Sequence, residues 1–228
     1  MNRESDTRAQ IFARFTEVAR ASFVFLEDHG FRSLAPTSEA VPYQSSDVLV
    51  NIFYRQIGGE IGVEFGLLPD PPRAGRGLGL LRPLKATPVR HPDAKSGTQL
   101  FELKIALPVL VAPNSMSDEL LRLLGRREEE EFDPLKRWTS WWSVFSTIDL
   151  AKIDPVVRKL AAITHQYASP LLVGDRDAFR RVGEYNTRLT EQYSKAVHLR
   201  SLPKSVAESL REKPLSEIIK ARRERERW

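Results

Sequence analysis

Glu102 and Lys104 stand two residues apart in TQLFELKIALPVLV (98–111), where Leu100, Glu102, Lys104 and Ala106 alternate with Phe101, Leu103, Ile105 and Leu107. Alternation at period two predicts a strand through this stretch, and residues two apart on a strand project from one face. A carboxylate and an ammonium on one face, close to a cation-rich stretch, suit contact with phosphate groups. Eight residues separate Pro92-Asp93 from Glu102. The plainer alternative is an exposed Glu/Lys strand face. Pro108 cannot donate to a ladder, so it predicts an edge position or a bulge near the end of this strand.

A second group is aromatic. Trp138 shares a helix face with Trp141 or with Trp142 at three-four spacing. Such a cluster either fills a core, because aromatic side chains bury large areas, or anchors a protein partner, because interfaces are enriched in Trp, Tyr and Arg. The acidic run Glu128 to Glu131 just before it reads as a solvated helix approach or a contact for a basic partner. A third group closes the chain. After Pro214, a helix with the short apolar face Leu215, Ile218 and Ile219 runs into Arg222, Arg223, Arg225, Arg227 and Trp228. A helix so polar gains little by packing on its own domain. It is expected to be either a contact arm, with Trp228 as anchor and the arginines seeking acceptors, or a frayed end.

Other chemistries find little support. The histidines (His29, His91, His165, His198) stand far apart with no metal-ligand spacing, and there is no cysteine. There is no nucleophile elbow and no P-loop. GRGLGLL (75–81) has the glycines of a phosphate cradle without the strand and helix that must flank it.

With 228 residues, 41% of them apolar and 29% charged, the chain is long enough for one sizeable domain or two small ones. No apolar run is long enough for a membrane span, and the polar start MNRESDTRAQ lacks the apolar centre of a signal peptide, so a cytoplasmic protein is expected. The net charge of +5 is uneven: six cations against two acids between 69 and 99, and seven against four from 211 to 228. These two basic segments could attract nucleic acid or an acidic partner, or could simply be solvated.

Around these residues the chain must supply elements. Asp6 is expected to cap a helix running to His29, with Ile11, Phe12, Phe15, Val18, Ala19, Phe23 and Leu26 as its buried stripe and Gly30 as its stop. Short strands follow at 31–34 and 41–44. DVLVNIFYRQIGGEIGVEFG (47–66) is a β-hairpin: Val48, Val50, Ile52 and Tyr54 share one parity, Ile61, Val63 and Phe65 continue it, and Gly58-Gly59 makes the turn. Leu67 to Gly97, with six prolines, reads as a long irregular loop. Beyond it the pattern turns helical. Ser117 caps 118–124, Asp133-Pro134 and Asp154-Pro155 open further helices, the latter reaching Leu172, and Gly174-Asp175 starts one that reaches about Val197. The expected fold is α+β: an N-terminal helix on an antiparallel sheet of three to five strands (1–112), then a helical half (113–228) with a charged tail.

Two resemblances can be drawn. Pro92-Asp93 followed by Glu102-Leu103-Lys104 resembles the loose form of the PD-(D/E)xK nuclease signature. That resemblance implies Mg²⁺ held by Asp93 and Glu102, with Lys104 stabilising charge on the phosphoryl group. Separately, FVFLEDHGFRSL with VPYQSSDVLVNIFYRQIGGEIGVEFG, and THQYASPLLVGDRDAFRRVGEYNTRL, resemble a family of uncharacterised bacterial cytosolic proteins. That likeness implies a fold and an origin, and no catalytic residues. The leading expectation is therefore a non-catalytic bacterial interaction protein, immunity-like, adaptor or regulatory, without cofactor. Its partner is a protein met through Trp138, Trp141, Trp142, Arg222, Arg223, Arg225, Arg227 and Trp228. The alternative is a Mg²⁺-dependent nuclease or another nucleic-acid binder using Asp93, Glu102 and Lys104.

Overall fold

The hairpin lies at the centre of the sheet. The computed structural model describes residues 3–69, 99–112, 115–124 and 141–225. Its strands are β1 (Arg32–Ser33), β2 (Ala40–Gln44), β3 (Val48–Arg55), β4 (Glu60–Leu67) and β5 (Leu100–Glu102). They pair antiparallel in chain order, β1-β2-β3-β4-β5. β3 and β4 are in register from Val48 opposite Leu67 to Arg55 opposite Glu60. Gly58 and Gly59 close the turn at φ +85° and +66°, a left-handed conformation that costs glycine no steric penalty.

One parity of the hairpin meets the first helix, α1 (Arg3–Ser22). Phe15, Val50, Ile52 and Phe65 have no exposed surface, and Val63 keeps 1%. The Phe15 and Tyr54 rings sit 5.7 Å apart. The expected single helix to His29 is interrupted, because α1 ends at Ser22 and a four-residue helix, α2 (Phe25–Asp28), follows. The backbone bonds tighten here: Leu26 N–H donates to Phe23 O and Glu27 N–H to Val24 O. Three-residue spacing eclipses side chains that an α-helix would spread, and so Phe23 and Leu26 enter the core together, both fully buried. Gly30 ends the unit at φ +80°, as expected. α1 begins ahead of Asp6, which therefore lies inside the helix and is not its cap.

The expected strand over 98–111 is overturned beyond Glu102. Glu102 (φ −71°, ψ 145°) is the last extended residue, and α3 (Leu103–Leu110) begins directly after it. The apolar residues of LKIALPVL satisfy both periods, and as a helix they bury Leu103, Ala106 and Leu107 almost completely. Pro108 consequently lies within a helix, where it withholds one N–H from the ladder. α4 (Asp118–Leu123) is capped as expected, with Ser117 Oγ accepting from Leu120 N–H at 3.2 Å.

Asp149, not Asp154, caps α5 (Leu150–Tyr167), and Pro155 lies inside that helix. Asp154 is bound elsewhere: Arg14 of α1 holds both of its oxygens, at 2.8 and 2.5 Å. The expected extension to Leu172 breaks at Ala168, leaving α6 (Ser169–Leu172) as a separate turn. Asp175 caps α7 (Arg176–Arg200) by accepting from Asp177 and Ala178 N–H. α8 (Lys204–Leu210) and α9 (Leu215–Arg225) follow, and α9 packs on α7. Side chains from both halves of the chain, Phe15 to Leu189, share one hydrophobic core. The proline-rich stretch 70–98, Glu128 to Glu131 and the helix expected at Asp133-Pro134 lie outside the described residues.

Val63→Asp is expected to cost on the order of 4 kcal/mol, because it places a carboxylate with no partner at a position only 1% exposed. A urea midpoint equal to that of the wild type would contradict this packing.

Candidate functional site

The second face of the hairpin carries charge. Gly62 lacks a Cβ, and one added there would lie 2.3 Å from the Phe53 ring. The Phe53 ring therefore lies flat across β4, and the Arg55 guanidinium stacks on it at 4.4 Å. From this support Arg55 reaches Glu60 Oε2 at 2.7 Å and Glu102 Oε1 at 2.8 Å. Lys104, the second residue of α3, donates to the remaining oxygens, Glu60 Oε1 at 2.8 Å and Glu102 Oε2 at 2.6 Å. The result is a closed ring of alternating charge, Arg55–Glu60–Lys104–Glu102. Glu64 approaches Arg55 from outside the ring at 3.3 Å.

The ring is electrically balanced and Glu64 is the surplus acid. Burial, joined by repulsion from Glu102, pushes the Glu64 carboxyl above the ordinary carboxylate value. Burial pushes Glu60 the same way, but Lys104 and Arg55 outweigh it and hold its carboxyl below that value. Burial works against the Arg55 charge, and Glu102 and Glu60 more than offset it, so its pKa is raised.

Lys104 thus meets Glu102 from the start of a helix and not from the same strand face, and its side chain is only 9% exposed. Both oxygens of Glu102 are taken by cations. Asp93 lies outside the described residues. Among the described residues no group of three His, Asp or Glu is arranged to hold a metal ion.

The hairpin tip carries a second feature. Phe145 O accepts from Ile61 N–H at 2.7 Å, Gly59 O accepts from Thr147 N–H at 2.9 Å, and Ser146 Oγ donates to Gly58 O. Residues 145–147 are thereby sewn to the start of β4. Gly59 is required for this approach, since a Cβ there would meet Thr147 O at 2.5 Å. Trp141 turns inward, 3% exposed, and stacks on Phe145 at 4.5 Å. Its neighbour Trp142 turns outward and lies over Gly58. Trp142 is 49% exposed, Ile148 72% and Ile57 96%, so three large apolar side chains surround the glycine turn in water.

Trp138, Arg227 and Trp228 lie outside the described residues, and Arg225 is placed as the end of α9 only. Arg223 is exposed, whereas Arg222 is half-buried with its guanidinium 3.1 Å from His198 Nδ1. Ile218 of the same helix is fully buried, so α9 does pack on its own fold. Arg55, Glu60, Ile57 and Ile148 were not singled out from the sequence. Arg55 and Glu60 flank the turn and become opposite partners once the hairpin register is drawn, which is the signal that could have found them.

Glu60 is held below its ordinary 4.5, so its contribution to stability is present above that pH and is lost as pH falls through the folded value. Glu64 is raised above its ordinary 4.5, so its contribution is full below that pH and is lost as pH rises through the folded value. Urea titrations at stepped pH should therefore show Glu64→Gln gaining on the wild type from pH 4.5 upward, and Glu60→Gln flattening the acid limb below it. Lys104→Met opens the ring and should cost about 3 kcal/mol, the lower end for a buried pair, because Arg55 still holds both carboxylates. A midpoint shift worth under about 1 kcal/mol would show the ring to be incidental.

Comparison of this chain with protein-family models, with curated proteins and with solved structures finds no match. The functional reading accordingly rests on the balanced charge ring and the apolar platform at the hairpin tip.

Proposed function

We propose that this chain is a non-catalytic interaction protein of the bacterial cytosol, an adaptor, immunity-like or regulatory component that meets a protein partner at its hairpin tip. One observation carries the reading: Ile57, Trp142 and Ile148 are all exposed around the one turn Gly58-Gly59. Single exposed apolar residues are ordinary, but several gathered at one place mark contact surfaces. Trp is the residue most enriched in the energetic centres of interfaces. The backbone beneath it is fixed by the bonds of 145–147 to β4, so little ordering entropy is lost on binding. The charge ring behind the tip supports this reading, because its acids and bases satisfy one another.

Ile148→Asp should leave the thermal midpoint within experimental error, Trp142→Ala, which removes a half-buried ring, should lower it by a few degrees only, and each should weaken partner binding by about 2 kcal/mol or more. Val173→Asp serves as the control. Val173 is 68% exposed, and the adjoining Gly174 lies against Asp47 and Val48, at the opposite end of β3 from the tip. Affinity purification from the host with the wild type and the three variants reads the outcome. Partners kept by Val173→Asp and lost by the tip variants support the platform. Equal recovery by all four proteins removes it.

A further inference from the structure

α1 and α5 pack side by side, yet a groove of about 490 Å³ remains open between them. Its cause is side-chain size: Ala21 and Ser22 on α1 face Ala161 and Ala162 on α5. The volume lies within the range of small-molecule sites. The two ends of the groove differ chemically.

At one end, the acids are already engaged. Arg14 holds both oxygens of Asp154, and a third nitrogen holds Glu17 at 2.8 Å. Arg158 reaches Asp154 only at 3.9 Å, and its side chain is 73% exposed. A guanidinium presents five donors in a planar fork that matches a carboxylate. At the other end stand two rings, Phe25 and His165, 4.6 Å apart between centroids. His29, outside the groove lining, meets Phe25 edge-on at 6.4 Å. Arg158 and His165 are seven residues apart on α5, which is about 10 Å along a helix axis. A bicyclic aromatic acid has that length.

We propose that this groove is a binding site for a small organic anion of the aromatic carboxylate class. The ring system lies between the alanines and stacks at Phe25 and His165, and the carboxylate pairs with Arg158. The site is separate from the hairpin-tip platform and does not depend on it.

The test titrates 2-naphthoate and its neutral counterpart 2-naphthamide into the full-length protein, followed by backbone amide shifts in NMR. Saturable shifts confined to α1, α2 and α5 are expected with both probes, the acid binding more tightly. Arg158→Gln changes a solvated side chain, so the fold is retained; it should weaken 2-naphthoate about tenfold, the worth of one charge-assisted bond, and leave 2-naphthamide unchanged. Ala162→Leu fills the groove from an exposed position and should abolish both. The proposal is overturned if no saturable shifts appear on α1 and α5. It is equally overturned if Arg158→Gln leaves 2-naphthoate binding intact, or if the probes still bind after Ala162→Leu.

Discussion

The ring of alternating charge formed by Arg55, Glu60, Lys104 and Glu102 ties the hairpin to the β5–α3 junction, more than 40 residues further along the chain. Arg55 ends β3, Glu60 starts β4, Glu102 ends β5 and Lys104 lies in the first turn of α3. A half-buried charge is tolerated only when it is paired, and here each carboxylate oxygen of the ring has its own cation. The geometry depends on an absence. Without a Cβ at Gly62, Phe53 can lie across β4 and carry the guanidinium at the height of the carboxylates. A methyl group at Gly62 would displace the ring, the guanidinium and then the acids in turn.

The ring also accounts for the place where the strand becomes a helix. As a helix, LKIALPVL buries Leu103, Ala106 and Leu107; with β5 ended at Glu102, Lys104 reaches two carboxylates at once. Local propensity does not choose between these conformations, because the segment is apolar at either period. Tertiary pairing does.

This explains what could be read in the sequence and what could not. The hairpin, its apolar parity and its Gly-Gly turn were legible, since alternation and turn chemistry are local. So were the caps at Ser117 and Asp175 and the stop at Gly30. The start of α5 was misplaced by five residues because Asp149 and Asp154 are equally good caps by type. What separates them is Arg14, 140 residues away, which takes the carboxylate of Asp154. Glu102 and Lys104 do meet, though not across the strand face that the alternation suggested; Glu60 and Arg55, which complete their ring, come from the hairpin. Trp141 and Trp142 are adjacent and of one type, so nothing local says which is core and which is surface. Phe145 decides it by stacking on Trp141.

The two features of the hairpin end fit together mechanically. A projecting β-turn is ordinarily the most mobile part of a hairpin, with few contacts to hold it. Here 145–147 bond to one side of the turn, and Arg55 and Glu60 clamp the strands where they enter it. Held at both levels, the turn presents Ile57, Trp142 and Ile148 at fixed positions. Exposed apolar side chains on a mobile loop would collapse onto the nearest surface of the same molecule. On a rigid turn they cannot, and they stay exposed to water.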